Sequence, residues 1–281
     1  MSRDFWKAYA SNRGAVIGLV ILALVVLMAI FADVLYPRSP WSMVTTPFQP
    51  PLSDDVVLGS DTLGRDIAAG IVHGARVSLL IGLISSLVAL FIGVTLGALA
   101  GYFGGWVDDA IMRFTELFQT IPNFVLAVVL VAIFTPSIYS LVAAIAIVSW
   151  PPLARLARGE FLSLRSREFV LAAVTTGQST SRIILREILP NSLSPIIVAA
   201  SLTVATAILL ESALSFLGLG DPNMMSWGYQ IGAARTVIRQ AWWMSFFPGI
   251  AILITVLAIN LVGEGLNDAM NPKLARKGRG R

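Results

Sequence analysis

Few residues in this chain are of a kind that does covalent chemistry, and their placement argues against catalysis. The lysines are Lys7, Lys273 and Lys277, none in a Gly-x-x-x-x-Gly-Lys-Ser/Thr setting, so the chain has no loop for cradling a nucleotide's phosphates. A single histidine, His73, leaves no His-Glu-x-x-His zinc helix and no firm nucleophile–base pair. Zero cysteines leave no disulfide and no thiolate metal site. His73 reads as a wet or interfacial residue. What remains is charge in unusual places. Glu211 and Glu116 lie beside apolar runs, and Asp61, Arg65 and Asp66 share one turn-rich stretch where they could form a local charge network. Arg155, Arg158, Arg165, Arg167, Arg182 and Arg186 gather around one polar segment. Charges so placed anchor and orient.

Composition sets the elements that must hold them. Of 281 residues, 56% are hydrophobic and 13% charged, with a mean hydropathy of +0.80. Soluble domains carry about 25% charge, so this is an integral membrane protein, and its continuous apolar runs read as helices rather than barrel strands. Spans are expected at about 14–35, 77–101, 110–134, 138–155, 195–214 and 246–266. The first is retained: it is too long for a signal-peptide core, and no small-residue cleavage site follows Ala32-Asp33. The second carries Gly93, Gly97, Gly101 and Gly105 at the spacing that lets helices approach closely in lipid. Trp106 to Asp109 reads as a short turn. Pro122 kinks the third span, so Gln119, Thr120 and Asn123 either line a cavity or satisfy neighbouring helices. Pro151-Pro152 ends the fourth. In the fifth, the helical rise carries the chain about 24 Å from Pro195 to Glu211. Glu211 then lies near the far interface, where an acid is costly unless paired, with Arg235 or Arg239, or wet.

An even number of spans puts both termini on one side, and the basic residues then sort unequally. Arg3, Lys7, Arg13, Arg113, the six gathered arginines, Lys273, Arg276, Lys277, Arg279 and Arg281 fall together. Arg38, Arg65, Arg76, Arg235 and Arg239 fall opposite. The positive-inside rule makes 1–13, 156–190 and 273–281 cytoplasmic and the proline-rich loop 36–76 external. This accounts for the net charge of +4 without a nucleic-acid partner.

The polar segment is too regular for a loop. Phe169, Val170, Ala172, Ala173 and Val174 recur at helical spacing after a Ser166 N-cap, Gly177 stops that helix, and a second one from Ser181 to Leu189 closes at Pro190. Ala172-Ala173, Gly177 and Leu189-Pro190 together resemble the EAA loop of binding-protein-dependent ABC importer permeases. Leu171 stands where the eponymous glutamate would be, and Glu187 where isoleucine is common. The stretch Leu58 to Asp66 (LGSDTLGRD), followed by Gly74-Ala-Arg-Val-Ser78, is similar to the periplasmic signature of the C-type permease in the dipeptide/oligopeptide/nickel subfamily. Glu211 to Gly220 and Trp227-Gly228 match two further segments of it.

That resemblance implies an all-α membrane protein of six transmembrane helices, the type I ABC importer permease fold, with a cytoplasmic coupling helix. It implies a B-type partner permease, two ATP-binding subunits and a periplasmic or lipid-anchored substrate-binding protein, in a bacterial inner membrane. Glu168, Phe169, Ala172, Ala173, Gly177, Leu189 and Pro190 would couple to the ATPases. Gly59, Asp61, Gly64, Arg65 and Asp66 form the periplasmic signature, whose role as a brace for the span ends or as something more stays open. Glu211, Asn123 and Gln119 are the pathway candidates. No cofactor binds the chain directly, since ATP and Mg belong to the partner subunits. The expected cargo is a di- or oligopeptide, with nickel chelate, glutathione or opine as alternatives. A gradient-driven transporter would need intramembrane acids as relays, for which Glu211 and Glu116 are the candidates, and inverted repeats are not evident. A non-transporting scaffold would have no use for the charged helix-glycine-helix loop.

Overall fold

The computed structural model describes residues 3–53 and 55–270, with side chains from Phe5 onward; the basic tail at 273–281 lies outside the described residues. Helix α1 (Arg3–Ser11) groups Phe5, Trp6 and Tyr9. Asn12 then caps α2 (Arg13–Ile30) by accepting the Ala15 amide at 3.1 Å, and its own amide reaches Asp268 Oδ2 at 2.9 Å. Short α3 (Ala32–Leu35) completes the first crossing. Helix α4 (Ile67–Phe103) begins at Ile67 rather than near 77, because Asp66 accepts the Ala68 amide at 2.8 Å and starts the helix there. The external loop is shorter by the same stretch. Arg76 bonds Asp33 at 2.8 Å and the Ile30 carbonyl at 2.8 Å, which ties the outer ends of α2 and α4 together.

The turn expected at Trp106–Asp109 is made by Gly104 instead, so those residues open α5 (Gly105–Gln119). Helix α6 (Asn123–Ile133) follows at an angle of 81° to α5. The expected kink is a full break, as befits a proline that lacks its donor. Helix α7 (Ile138–Arg165) starts from a Ser137/Ser140 capping box and runs through Pro151 and Pro152, which do not end it. Packing overrides proline here. A Cβ on Gly93 would meet Leu153 and the Trp150 carbonyl, one on Gly97 the Ala154 carbonyl, and one on Gly101 Phe161 and the Arg158 carbonyl. Backbone lies on backbone along this seam, as small residues permit in lipid. Gly105 takes no part: nothing lies within 4 Å of its would-be Cβ.

Helices α8 (Glu168–Thr175) and α9 (Thr180–Arg182) follow on the α7 C-terminal side. A π turn (Ile183–Ile188) leads directly into α10 (Leu189–Phe216). Pro190 therefore does not close a second helix. It sits in the first turn of α10, and the wider π turn before it relieves the missing proline donor, while Asn191 bonds the Glu187 carbonyl at 2.6 Å. Helices α11 (Trp227–Ala234) and α12 (Trp243–Met270) complete the order. Among the described residues, five helical segments are long and apolar enough to cross a membrane, six when the bent α5–α6 pair is counted as one span. One core cluster joins Ile81, Val131, Leu141, Ile145 and Leu214 from α4, α6, α7 and α10.

Candidate functional site

One candidate site is built on α8. Its N-cap is Arg167, with no side-chain bond; Ser166 instead ends α7. Glu168 lies in the first turn, where a carboxylate favours the helix dipole. At the other end Gly177 has φ +74, the Gln178 amide bonds the Ala173 carbonyl at 3.1 Å, and the Gly177 amide bonds the Val174 carbonyl at 3.0 Å. This is a Schellman stop, which needs the left-handed backbone that glycine supplies. Val170 and Ala173 are buried against Phe161 of α7 and against Ile183 and Ile188 of the π turn. The opposite side is different: Phe169 is 40% exposed, and Leu171 and Val174 each 52%. A helix of two turns thus has one apolar side locked to the spans and a second facing out. Ala172, Glu168 and Pro190 are exposed, while Leu189 is half-buried against the locked side.

Arginines hold this end in place. Arg165 Nη1 donates to the Tyr102 carbonyl at 3.2 Å, capping α4 from α7. Arg158 grips Asp108 of α5 through both nitrogens, with Nη2 to Oδ2 at 2.6 Å, a fork-to-carboxylate geometry. Arg155 donates to Gln119 at 2.9 Å. The inner half of the broken span is therefore clamped to α7. The pairing of Asp108 with Arg158 could not be matched from sequence, because Trp106 to Asp109 reads as a turn before the third span rather than as the first turn of α5.

Near the C-terminal end of α10, Glu211 is 1% exposed. It is neither wet nor paired with Arg235 or Arg239. Ser215 and Ser226 each donate to its Oε1 at 2.8 Å, and Ser212 lies 3.4 Å from Oε2. Arg235 instead approaches the Phe216 carbonyl. Close approach explains the outcome: a Cβ on Gly228 would meet Ser212, Ser215 and Glu211, so α11 lies flat on α10 and leaves no room for an arginine. Ser226 also caps α11 by accepting the Tyr229 amide, and the Trp227 amide donates to Ser78 of α4 at 3.1 Å. Ser215, one turn after Glu211, was within reach of an i,i+4 argument. Ser226 was not.

The external signature folds on itself. Asp61 Oδ1 accepts the amides of Leu63 and Arg65 at 2.8 Å each, and the Gly64 carbonyl accepts the Val44 amide at 2.9 Å. Gly59 lies against the Trp243 ring, and the Trp243 indole donates to the Ser60 carbonyl at 3.1 Å. The expected network of Asp61, Arg65 and Asp66 is only partial: Arg65 Nε is 3.9 Å from Asp61, whereas Asp66 is spent on capping α4. Burial pushes the Asp66 carboxyl above its usual range, against the opposing pull of the Ala68 and Ala69 amides. His73 is half-buried, with Nε2 at 2.9 Å from the Tyr36 carbonyl, and no metal-ligand cluster exists among the described residues. The three pathway candidates do not converge: Gln119 faces Arg155 of α7, Asn123 is exposed beside the break, and Glu211 is enclosed between α10 and α11.

Comparison with known proteins matches this architecture. Residues 93–276 match the family described as the binding-protein-dependent transport system inner membrane component, and residues 1–51 match the N-terminal TM domain of oligopeptide transport permease C. The di/tripeptide transport system permease protein DppC of Pseudomonas aeruginosa is 41% identical, over 97% of this chain and 92% of its own. The oligopeptide transport system permease protein OppC of Bacillus subtilis is 37% identical, over 98% and 92%. In fold, the inward-facing MetNI methionine ABC transporter superposes with a TM-score of 0.58 at 18% identity, over 74% of this chain and 95% of that one. With its helices, its α8 turn and its external signature in hand, the chain belongs to the binding-protein-dependent permeases of ABC importers, integral proteins of the inner membrane.

Proposed function

We propose that this chain is one membrane-spanning subunit of an ATP-driven importer of di- and oligopeptides, working with a second permease, two ATP-binding subunits and an external binding protein. The peptide cargo rests on the relatives, whose names specify di/tripeptide and oligopeptide transport. The chain itself carries no phosphate-binding loop, so ATP and Mg bind the partner subunits and hydrolysis is theirs. Its termini and α8 face the cytoplasm, where the gathered arginines satisfy the positive-inside rule.

One observation carries the coupling role: α8 is apolar on two sides, and its inner side is continuous with both α7 and α10. Full burial of a side chain such as Phe169, Leu171 or Val174 is worth about 1.5–3 kcal/mol, enough for an ATPase cleft to grip the helix. When the ATPases close, α8 moves with them. Phe161 then passes the motion to α7, and Ile188 passes it to α10 through an unbroken helical path. Residues Glu168, Phe169 and Ala172 form the gripped side, while Ala173, Gly177, Leu189 and Pro190 keep the helix stiff and attached.

The test uses the assembled transporter in vesicles. Gly177→Pro cannot adopt a positive φ, so α8 loses its stop. Basal ATP hydrolysis is expected to persist while ATP-driven peptide uptake falls at least tenfold. Normal uptake in that variant would sink the coupling role. Competition by glutathione, a nickel chelate or an opine tests the cargo, with peptides expected to compete best.

A further inference from the structure

We infer that the outer face is built around a single ordered water, which bridges the Leu58–Asp66 turn to α11 through Asp61, Arg65 and Gln230. Gln230 is only 7% exposed, yet among the described residues neither its Oε1 nor its Nε2 has a hydrogen-bond partner. Buried amides are rarely left so, because an unmet donor or acceptor forfeits its hydration. The Arg65 Nε is buried and unmet as well. Its nearest carboxylate oxygen, Asp61 Oδ2, stands at 3.9 Å, too long for a direct bond and within the reach of one intervening water.

These three side chains line one cavity, with Asp66, Gly70 and Tyr229 among its walls. The space open to the centre of a water-sized sphere is about 20 Å³. One water needs about 10–15 Å³ by that measure, and a peptide needs far more. Size therefore excludes cargo. The lining sets Arg65 against Asp61 and Asp66, so it favours neither a cation nor an anion throughout. The polar set matches a water's valence: Arg65 Nε and Gln230 Nε2 donate to it, and Gln230 Oε1 and Asp61 Oδ2 accept from it. Flipping the Gln230 amide leaves the same count of donors and acceptors. The walls are braced, with the Arg65 guanidinium 4.8 Å from the centre of the Trp41 ring and Trp41 meeting Tyr229 edge-on at 5.2 Å. The turn and α11 are thus held in register by a shared solvent molecule as well as by packing.

The test is a structure of the intact transporter at a resolution that shows waters. A peak within about 3.2 Å of Arg65 Nε and of one Gln230 amide atom is expected, and it should be lost in Gln230→Leu. A dry cavity, a cavity filled by a partner's side chain, or a peak unchanged in Gln230→Leu would overturn the assignment.

Discussion

The Ser226 hydroxyl donates to Glu211 Oε1 at 2.8 Å while accepting the Tyr229 amide at 3.0 Å, so one serine both starts α11 and fastens it to α10. With Ser78 holding the Trp227 amide from the other side, α11 is pinned between α10 and α4. Glu211 is an anchor for that helix.

An anchor and a charged pathway lining respond differently to substitution. Glu211→Gln keeps an oxygen for Ser215 and Ser226, and its new amide can donate to Ser212. Near-normal peptide uptake and thermal stability are expected. Glu211→Ala strands the buried hydroxyls of Ser215 and Ser226, each worth about 1–3 kcal/mol when unmet, while Ser212 keeps the Ile208 carbonyl; it should lower the melting temperature of the purified transporter. Ser226→Ala loses a cap as well, costing about 1 kcal/mol. Loss of uptake in a stable Glu211→Gln protein would return the residue to the pathway.

The clamp between Asp108 and Arg158 depends on a planar fork. Arg158→Lys keeps the charge but not the paired bonds, and Asp108→Ala leaves a partly buried guanidinium unmet. Each is expected to cost about 1.5–3 kcal/mol, the worth of bonds to charged groups. Thermal unfolding in detergent checks this, and a double variant less destabilised than the sum would show that the two residues act together.

Along the α4–α7 seam, Gly97→Ala puts a methyl into the Ala154 carbonyl and the Ala157 side chain, where backbone must shift. A loss of about 1–3 kcal/mol is expected from such overpacking. Gly249→Ala, with open space around its Cβ, is the control and should be neutral or mildly stabilising. Equal effects at the two sites would contradict the close packing.

Asp66 gives a pH signature. Its carboxyl is held above its usual range by burial, so the folded state binds a proton more readily than the unfolded one. Its contribution is fully present below the ordinary aspartate value, and fades as pH rises through the raised folded value. Asp66→Asn, which still caps α4, should remove this part of the pH dependence without loss at neutral pH. Asp66→Ala should cost about 1 kcal/mol through the lost cap. Melting temperatures against pH for the three proteins decide it.

How much of this was legible beforehand depended on whether the physics was local. The spans and Gly177 announce themselves through apolar runs and a glycine stop, whereas Asp66, expected in a charge network, caps a helix that starts ten residues before the expected span. The prolines misled: Pro151, Pro152 and Pro190 read as helix ends, but a seam of glycines carries α7 past the first two and a π turn absorbs the third. The partners of Glu211 were hidden for a different reason. An arginine or water was the visible compensation, whereas the fold supplies the hydroxyls of Ser215 and Ser226, the second from beyond the end of α10.

The coupling role proposed for α8 requires it to be the surface that the ATPases grip. Because the chain has no cysteine, Leu171→Cys gives a single reactive site on the exposed side. The measurement is its labelling by a membrane-impermeant maleimide in oriented vesicles, with and without the ATP-binding subunits. Labelling from the cytoplasmic side alone, with strong protection when those subunits are bound, is the predicted result; labelling from the outside, or no protection in the assembled transporter, would contradict it.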